Sequence, residues 1–412
     1  MEHGFFRVIT PARFCELLSS FAPTFSEVVA LENCLDRVLS ENIVAEENIP
    51  ALDRSCMDGY ALRAADTFGA SEGNPAYVEL ARSAAIDEVV TRPLRPGECM
   101  GIATGGSLPP GADAVIMVEH TQMLGEVTVE IRKTVTPGEN VMLTGEDVGV
   151  GQVALPAGQR LRPQDVGLMA SLGILSARVF RRPRCGIVST GDELVPVDVV
   201  PRPGQIRDVN SHTLACMALQ AGAEPLNHGL VPDVRDALRQ SLSASLEQND
   251  VVFISGGSSI GTRDLTIEVL ESFPDSEILA HGVSISPGKP TILARVAGKS
   301  VLGLPGQVTS AQIVMLVFGL PLLRHLGGDA TAFDEGRRTM RLAKLGSNLS
   351  SKPGREDYVR VRLEWRDGEL AAMPRLGKSG LLRTLLEADG LVRLDASLEG
   401  MRAGQEVAVW VF

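Results

Sequence analysis

A glycine-rich turn with a carboxylate close behind it is the part of this 412-residue chain whose residue types and spacing most directly predict chemistry. The apolar run 250–254 leads into Ser255-Gly256-Gly257-Ser258-Ser259, and Asp264 follows in a helix-like segment. Glycine permits a tight turn and close approach to a ligand, and a helix start offers unpaired N–H groups to an oxyanion. A carboxylate at Asp264 would suit a metal ion that bridges such oxygens. An ordinary strand-to-helix turn carries the same small residues, so the neighbouring segments decide between these interpretations.

Alternating strand and helix patterns over 184–328 predict a doubly wound, mostly parallel α/β sheet. The predicted strands cover 185–190, 225–230, 250–255, 291–296 and 300–304. The predicted helices cover 211–220, 234–248, 265–272 and 309–326. In open sheets of this type, ligands bind beyond the carboxyl ends of the strands, so the loops that follow the strands should converge on one site.

Those loops carry hydroxyls, glycines and carboxylates. The residues concerned are Thr190, Glu193, Asp233, Ser255, Gly256, Gly257 and Pro305. Such a set suits Mg²⁺ held by one or two acids plus phosphate oxygens, and it points to phosphate-ester or anhydride chemistry. Asp192, Asp233 and Asp264 could instead be helix caps or first-turn acids, and Glu193 could be a solvated surface residue. Lys289, pinned between prolines, is either part of a rigid turn or a cation for the site.

The rest of the chain is mainly β. A short helix is predicted over 10–21 and another over 162–172. Short β-like runs at 76–80, 114–118 and 127–131 predict a small all-β domain. After residue 328 the runs 339–342, 357–365, 391–394 and 406–411 predict a terminal β-barrel or sandwich. The apolar helix 309–326 is expected to pack against the sheet as core.

Composition excludes several classes of protein. Lys plus Arg total 39 and Asp plus Glu total 51, a formal charge of -12, and no local basic patch for nucleic acid is evident. The six cysteines include no CxxC pair and no nearby histidine cluster. Residues 1–5 lack the features of a signal peptide, and the longest apolar run, 313–323, is shorter than the about 20 residues of a membrane span. The expectation is a soluble cytoplasmic protein that binds neither nucleic acid nor membrane.

Seven segments, taken in order, resemble the molybdopterin molybdenumtransferase family of the MoeA and gephyrin E-domain type. Together they are far more specific than any one of them. They are Ser55-Cys56-Met57-Asp58-Gly59-Tyr60-Ala61, Ala103-Thr104-Gly105-Gly106, Gly145-Glu146-Asp147, Ser189-Thr190-Gly191-Asp192-Glu193-Leu194, Ser255-Gly256-Gly257, Pro287-Gly288-Lys289-Pro290 and Leu304-Pro305-Gly306.

The resemblance implies a multidomain α/β plus all-β fold and an elongated homodimer. The expected domains are a discontinuous linker and dimerisation domain (1–53 and 149–182), an inserted β domain (54–148), an α/β molybdopterin-binding domain (183–328) and a C-terminal β-barrel (335–412). In the family, the pocket forms between the α/β domain of one subunit and the β domain of the other. Asp58, Thr104 and Asp147 would therefore act across the dimer.

The activity implied is Mg²⁺-dependent insertion of molybdenum from molybdate into adenylated molybdopterin, with release of AMP. The molybdopterin adenylyltransferase is a further partner to consider. The catalytic positions implied are Glu193, Asp233, Asp264, Asp58 and Asp147, with Glu193 and Asp233 assigned to Mg²⁺. The implied substrate-binding positions are Thr104, Thr190, Ser255, Gly256, Gly257, Lys289, Pro305, Arg355, Lys378 and Ser379. Because molybdate and the substrate phosphates are anionic, Lys289, Lys378 and Arg355 are expected to offset the repulsion from the acids.

Two departures from the family pattern leave alternatives open. Ser286 stands where many relatives have a second lysine, and Gln307-Val308 replaces the usual Asn-Pro. Neither removes the carboxylates, but both bear on oxyanion affinity. The alternatives are a carrier that binds molybdopterin or the finished cofactor without catalysis, and an insertase that prefers tungstate. An adenylyltransferase is a weaker alternative, because the β domains before and after the α/β domain argue against it.

Overall fold

The first helix, α1 (Pro11–Ser19), begins where the sequence predicts. Thr10 Oγ1 accepts a hydrogen bond from the backbone N of Arg13 at 3.2 Å, and proline at the first helical position has no N–H to leave unpaired. The computed structural model describes residues 8–256 and 260–412, with the backbone alone for 260–264. Gly257 and the side chain of Asp264 therefore lie outside the described residues.

From residue 8 onward, the described N-terminal half of the chain is built from short strands, short 3-10 helices and two α-helices. In chain order after α1, the strands and the second α-helix are β1 (Ser26–Ala30), β2 (Ile43–Val44), β3 (Arg54–Ser55), β4 (Gly59–Leu62), β5 (Ala76–Ser83), β6 (Glu98–Ile102), β7 (Ala114–Met117), β8 (Thr121–Leu124), β9 (Thr128–Ile131), β10 (Val141–Met142), β11 (Val153–Leu155), α2 (Pro163–Ser171) and β12 (Ser176–Phe180). Strands β4 to β9 form one six-stranded sheet in the order β7-β4-β6-β5-β9-β8. The flanking strands pair as β1 with β12 and β2 with β11, so residues from both sides of the insertion form one small core.

The C-terminal half alternates strand and helix before it returns to β. Its elements are β13 (Arg184–Thr190), β14 (Leu194–Val195), β15 (Ile206–Arg207), α3 (Asn210–Gln220), β16 (Glu224–Val231), α4 (Arg235–Gln248), β17 (Val251–Gly256), α5 (Ile260–Glu271), β18 (Ser276–His281), β19 (Ile285–Ser286), β20 (Ile292–Val296), β21 (Lys299–Pro305), α6 (Val308–Val314), α7 (Leu320–Leu326), β22 (Met340–Leu345), β23 (Leu349–Ser350), β24 (Glu356–Arg366), β25 (Glu369–Pro374), α8 (Arg383–Leu386), β26 (Gly390–Leu394), β27 (Gly400–Met401) and β28 (Glu406–Val411).

The central sheet has the strand order β16-β13-β17-β21-β20-β18. The first four strands are parallel, and β20 runs antiparallel to both of its neighbours. One face packs against α3, α6 and α7 around Phe253, and the other packs against α4 and α5 around Val252. Because helices cover both faces, the predicted doubly wound, mostly parallel sheet is confirmed.

The terminal β region closes into a small barrel. Strand β24 pairs with both β25 and β26, and the remaining pairs β25–β22, β22–β28 and β28–β26 complete the circle. Strand β19, which belongs to the α/β part of the chain, adds to β24 in parallel. The barrel is thus hydrogen-bonded directly to the loop that carries Lys289.

A long apolar helical segment joins these two parts. It consists of α6, a π-helical turn (Met315–Gly319) and α7, and 72% of it is buried inside the protein. Val308–Leu326 is long and apolar enough to span a membrane by length and composition. Phe318 is fully buried and its ring centroid lies 4.7 Å from that of Phe14 in α1. The segment therefore serves as core, as the sequence analysis expects.

Candidate active site

The parallel strands of the central sheet bring the predicted loops to one edge. In the strand register, Thr190 lies opposite both Val231 and Gly256, and Gly256 lies opposite Pro305. These are the last residues of β13, β16, β17 and β21. The structure therefore brings together Thr190, Ser255, Gly256 and Pro305, with the loops of Glu193 and Asp233 directly beyond them.

Asp233 is held by the neighbouring strand. The hydroxyl of Thr190 donates to Asp233 Oδ1 at 2.6 Å, and the backbone N of Asp233 donates to Asp192 Oδ1 at 3.1 Å. The alternative that these two aspartates cap helices is wrong, because α3 begins after Val209 and α4 begins after Val234, and neither helix has a side-chain hydrogen bond at its N-cap. Both carboxylates instead join the loops after β13 and β16.

Glu193 folds back over a glycine that leaves it room. Gly191 has φ of 155°, in the region that side chains rarely adopt, and a Cβ there would lie 2.8 Å from Glu193 Oε2. The side chain of Glu193 is otherwise exposed. Its carboxylate thus stays beside the turn that follows Thr190.

Gly256 makes a second close approach at this edge. A Cβ on Gly256 would lie 2.2 Å from Thr190 Cγ2, so only glycine fits beside the threonine as it is placed. The preceding Ser255 is buried, and its Oγ accepts a hydrogen bond from Asn210 Nδ2 at 2.6 Å. The turn after β17 is therefore shaped by its neighbours as well as by its own glycine.

Asn210 is a residue that sequence reasoning missed. Its Nδ2 donates to Ser255 Oγ and also to the carbonyl of Gly306 at 2.9 Å, so it joins two of the converging loops. Its Oδ1 is buried with no partner among the described residues. The available signal was the pair of polar residues Asp208 and Asn210 immediately before the predicted helix 211–220.

The barrel delivers two predicted residues to the same region. The backbone N and hydroxyl of Thr309, at the start of α6, donate to the carbonyl of Ser379 at 3.1 and 2.6 Å. The buried Arg360 donates to the carbonyl of Gly377 at 3.0 Å and fixes the same loop. Lys378 is exposed beside Ser379. This barrel loop therefore lies against the turn that follows Pro305.

The segments that carry Lys289 and Arg355 are joined by the pairing of strand β19 with strand β24. Ser286 of β19 lies opposite Asp357 of β24, and the buried Asp357 accepts from Ser351 Oγ at 2.6 Å. Arg355 Nε lies 3.0 Å from Asp357 Oδ1. Lys289 follows Ser286 by three residues and its side chain is exposed.

Asp58 and Thr104, two of the residues predicted in the β insertion, form a separate cluster. The backbone N and hydroxyl of Thr104 both donate to Asp58 Oδ1, at 2.7 and 2.9 Å. These bonds, the backbone one first, lower the pKa of Asp58 below the usual 3.8. Asp147 is exposed and its backbone N bonds to the carbonyl of Ile49. Across the described part of the chain, no hydrogen bond or ion pair joins Asp58, Thr104 or Asp147 to the sheet edge.

The donor set at the sheet edge fits Mg²⁺. In the described residues no group of three or more His, Cys, Asp or Glu side chains could hold a metal ion by itself. Mg²⁺ does not require such a cage, because it commonly takes one or two carboxylates and completes its octahedron with substrate oxygens and water. Glu193 and Asp233 offer those two carboxylates on adjacent loops.

The fold and this edge define a multidomain protein whose α/β domain gathers acids, hydroxyls and glycines where parallel strands end. Three family models cover nearly all of the chain. The MoeA N-terminal region (domain I and II) matches residues 9–173, a "Probable molybdopterin binding domain" matches 186–325, and the MoeA C-terminal region (domain IV) matches 342–412.

The chain belongs to the MoeA family of molybdopterin molybdenumtransferases. It is 31% identical over 389 residues to the molybdopterin molybdenumtransferase of Bacillus subtilis, which covers 93% of this chain and 89% of that relative. Two crystal structures of molybdopterin biosynthesis MoeA proteins from Pyrococcus horikoshii are similar over 98% of this chain. One has 34% identity, a TM-score of 0.79 and 99% of its own length covered, and the other has 29%, 0.83 and 100%. The family resemblance of the seven motifs is thereby confirmed.

Proposed function

We propose that this protein inserts molybdenum from molybdate into adenylated molybdopterin in a Mg²⁺-dependent step that releases AMP. The observation that carries the proposal is the sheet edge, where Thr190, Asp233, Glu193 and Gly256 meet beside the barrel loop of Ser379. Membership of the MoeA family supports the coarser role in molybdenum cofactor synthesis. The geometry adds a place where anionic substrate groups and a divalent cation could lie together.

The acidic and basic residues at the sheet edge would have different roles. Glu193 and Asp233 would hold Mg²⁺, and the hydroxyl of Thr190 orients the Asp233 carboxylate through its hydrogen bond. When bound, Mg²⁺ would polarise the pyrophosphate oxygens of the adenylated substrate and favour loss of AMP. Arg355, with its planar guanidinium, and Lys289 would bind the oxyanion and offset the negative charge of the acids.

A site shared between two subunits accounts for the separate cluster in the β insertion. Asp58 and Thr104 hold each other but make no hydrogen bond to the sheet edge in the part of the chain that the structure describes. In a homodimer, the β insertion of one subunit would supply Asp58, Thr104 and Asp147 to the edge of its partner. The seven family motifs would then converge on one pocket although they lie in domains of different fold.

The proposal is tested by replacing Glu193 with glutamine. Glu193→Gln keeps the size of the side chain but removes the charge assigned to Mg²⁺, so AMP release should fall by about 100-fold or more. The melting temperature should stay close to that of the wild type, because the side chain is exposed. AMP release is measured with adenylated molybdopterin, Mg²⁺ and molybdate.

The matched control is Glu247→Gln, an exposed glutamate on α4 of the same domain. This variant should turn over at the wild-type rate. If Glu193→Gln retains the rate of the control, the metal-binding role of Glu193 is wrong. If the wild-type protein binds the pterin but never releases AMP, the carrier alternative replaces the insertase.

A further inference from the structure

A large cavity lies away from the candidate active site, at the junction of linker, α/β domain and barrel. Its volume is about 1040 Å³, which is ample for a nucleotide-sized ligand. None of the candidate site residues described above lines it. Its polar wall includes five arginines, namely Arg160, Arg162, Arg324, Arg337 and Arg338, and three aspartates, namely Asp36, Asp329 and Asp334.

Three of these arginines already have carboxylate partners. Arg160 Nε lies 3.1 Å from Asp36, Arg162 Nε lies 2.9 Å from Asp165, and Arg337 Nε lies 3.9 Å from Asp334. Among the described residues, Arg324 and Arg338 have no carboxylate within ion-pair distance. Arg324 and Arg338 are thus two guanidinium groups of the cavity wall without a direct ion pair in the described part of the chain, although Asp329 lines the same cavity.

Arg324 is poorly compensated by its surroundings. Its Nε is buried with no hydrogen-bond partner in the described part of the chain. Burial, and then repulsion from Arg160, lowers its pKa, although Asp329 opposes this. An incompletely paired and partly buried charge costs stability unless another group satisfies it. This arrangement favours an occupant that carries negative charge.

Arg338 is held beside Arg324 by an aromatic ring. Its guanidinium carbon lies 4.0 Å from the centroid of the Trp410 ring, and burial lowers its pKa. Repulsion from Arg338 also lowers the pKa of Arg324, so the two positive charges lie close enough to repel each other. The apolar part of the wall includes Leu316, Leu320 and Pro321.

We infer that this cavity binds a small molecule bearing a diphosphate group through Arg324 and Arg338. Two planar guanidinium groups can hold adjacent phosphate oxygens with paired hydrogen bonds, which single ammonium groups cannot do. The cavity is far larger than one phosphate, so its apolar wall can accept the organic part of the ligand. The site is separate from the proposed insertase centre and its occupation does not depend on that function.

The test uses Trp410 as the reporter. The chain has two tryptophans, and Trp365 is 73% exposed, so Trp365→Phe leaves Trp410 as the sole indole. Inorganic pyrophosphate and ADP are titrated separately into this full-length protein. We expect a saturable change in Trp410 fluorescence with ADP, a weaker one with pyrophosphate, and a rise in melting temperature at saturation.

Arg324→Gln in the same background should weaken ADP binding about tenfold or more. Arg324→Lys keeps the charge but not the planar guanidinium group. Its affinity for ADP should lie between that of the parent protein and that of Arg324→Gln. Arg92→Gln, an exposed arginine in the β insertion, is the control and should bind ADP like the parent. Circular dichroism and the melting temperature establish that each variant is folded.

Three results would overturn the inference. The first is no saturable change in Trp410 fluorescence with either probe at millimolar concentration. The second is an equal dissociation constant in Arg324→Gln and Arg92→Gln, which would put the anion elsewhere. The third is a wild-type dimer that becomes monomeric in Arg324→Gln with no ADP binding in either state, which would assign the arginines to the contact between two copies.

Discussion

At the scale of single residues, the same contact recurs in both parts of the proposed site. Thr190 donates its hydroxyl to Asp233, and Thr104 donates its hydroxyl and backbone N to Asp58. A carboxylate that accepts such a bond loses rotational freedom, and at Asp58 the bonds also lower the pKa. Each threonine thus orients a carboxylate that could bind a cation or accept a hydrogen bond from the substrate.

Removing the hydroxyl of Thr104 should raise the pKa of Asp58. In the wild type this pKa lies below 3.8. The carboxylate therefore stabilises the folded state at any pH above the pKa that Asp58 has in the unfolded chain. This stabilisation is lost as the pH falls through the pKa of Asp58 in the folded protein. Thr104→Val keeps the backbone bond and removes the hydroxyl bond, so the pKa should rise but remain below 3.8. Carboxyl carbon NMR of Asp58 over an acid titration measures it.

Thr144→Val is the matched control for this titration. Thr144 donates its backbone N and hydroxyl to Asp53 Oδ1 in the same way as Thr104 does to Asp58. The control should leave the pKa of Asp58 unchanged. An Asp58 pKa that is the same in wild type and Thr104→Val would show that the hydroxyl has no electrostatic effect on the acid.

The missed residues show what sequence reasoning lacks at this scale. Thr190, Glu193 and Asp233 each follow a predicted strand, so periodicity and the strand-end rule place them together. Asn210 bonds to partners 45 and 96 positions away in the chain, and Arg360 bonds to partners 17 and 24 positions away. No local sequence pattern predicts these particular contacts. Their roles appear only once the strands have been aligned.

At the scale of elements, the packing of β17 against β13 fixes the shape of the site. Gly256→Ala would put a methyl group 2.2 Å from Thr190 Cγ2, so the Thr190 side chain or one of the two strands must shift. Such overpacking should lower the free energy of unfolding by about 1–3 kcal/mol. Because Thr190 orients Asp233, AMP release should fall as well. Chemical denaturation and the AMP assay measure the two effects.

Gly167→Ala in α2 provides the control for this substitution. A Cβ on Gly167 meets no atom within 4 Å, and alanine is the better helix former by about 0.5–1 kcal/mol. The control should be at least as stable as the wild type and fully active. A Gly256→Ala protein with unchanged activity would mean that the position of Thr190 is unimportant.

The elements themselves were largely predictable, whereas their long-range pairing was not. Apolar runs bounded by turn residues revealed β13, β16, β17 and β21, and helical periodicity revealed α3 and α4. Strand β18 (Ser276–His281) was missed, since it is an edge strand with only one buried residue. Strand β19 has two residues and exists because β24 of the barrel pairs with it. Closure of the barrel through β24 and β26 is likewise a long-range contact.

At the scale of the whole molecule, the proposed site needs its cations delivered from distant parts of the chain. The barrel supplies Arg355, Lys378 and Ser379, and the loop beside β19 supplies Lys289. The β19–β24 pairing and the Thr309–Ser379 hydrogen bonds fix these segments against the α/β domain. A chain of net charge -12 can bind anionic substrates in this way only where such segments meet.

Mixed dimers test the proposed sharing of the site between subunits. Asp58→Asn and Glu193→Gln chains carry different tags and are refolded or co-expressed together, so that the mixed dimer can be purified. A shared site leaves one intact centre per mixed dimer, with about half of the wild-type activity, because each variant supplies what the other lacks. Each homodimeric variant should be nearly inactive.

A site contained within one chain predicts a different result. Every centre of the mixed dimer would then carry one substitution, and the activity would stay at the level of the homodimeric variants. Mixed dimers of Glu247→Gln with wild type provide the reference for the effects of tags and purification. A monomeric wild-type protein in analytical ultracentrifugation would also contradict the shared site.

The most direct measurement is AMP release and active-cofactor formation from adenylated molybdopterin with Mg²⁺. Three reactions are compared at matched low concentrations, with no oxyanion, with molybdate and with tungstate. We expect oxyanion-dependent AMP release and active cofactor with molybdate, and the tungstate reaction reports whether Ser286 and Gln307-Val308 change the metal preference. Pterin that stays bound and unprocessed in all three reactions would contradict the insertase.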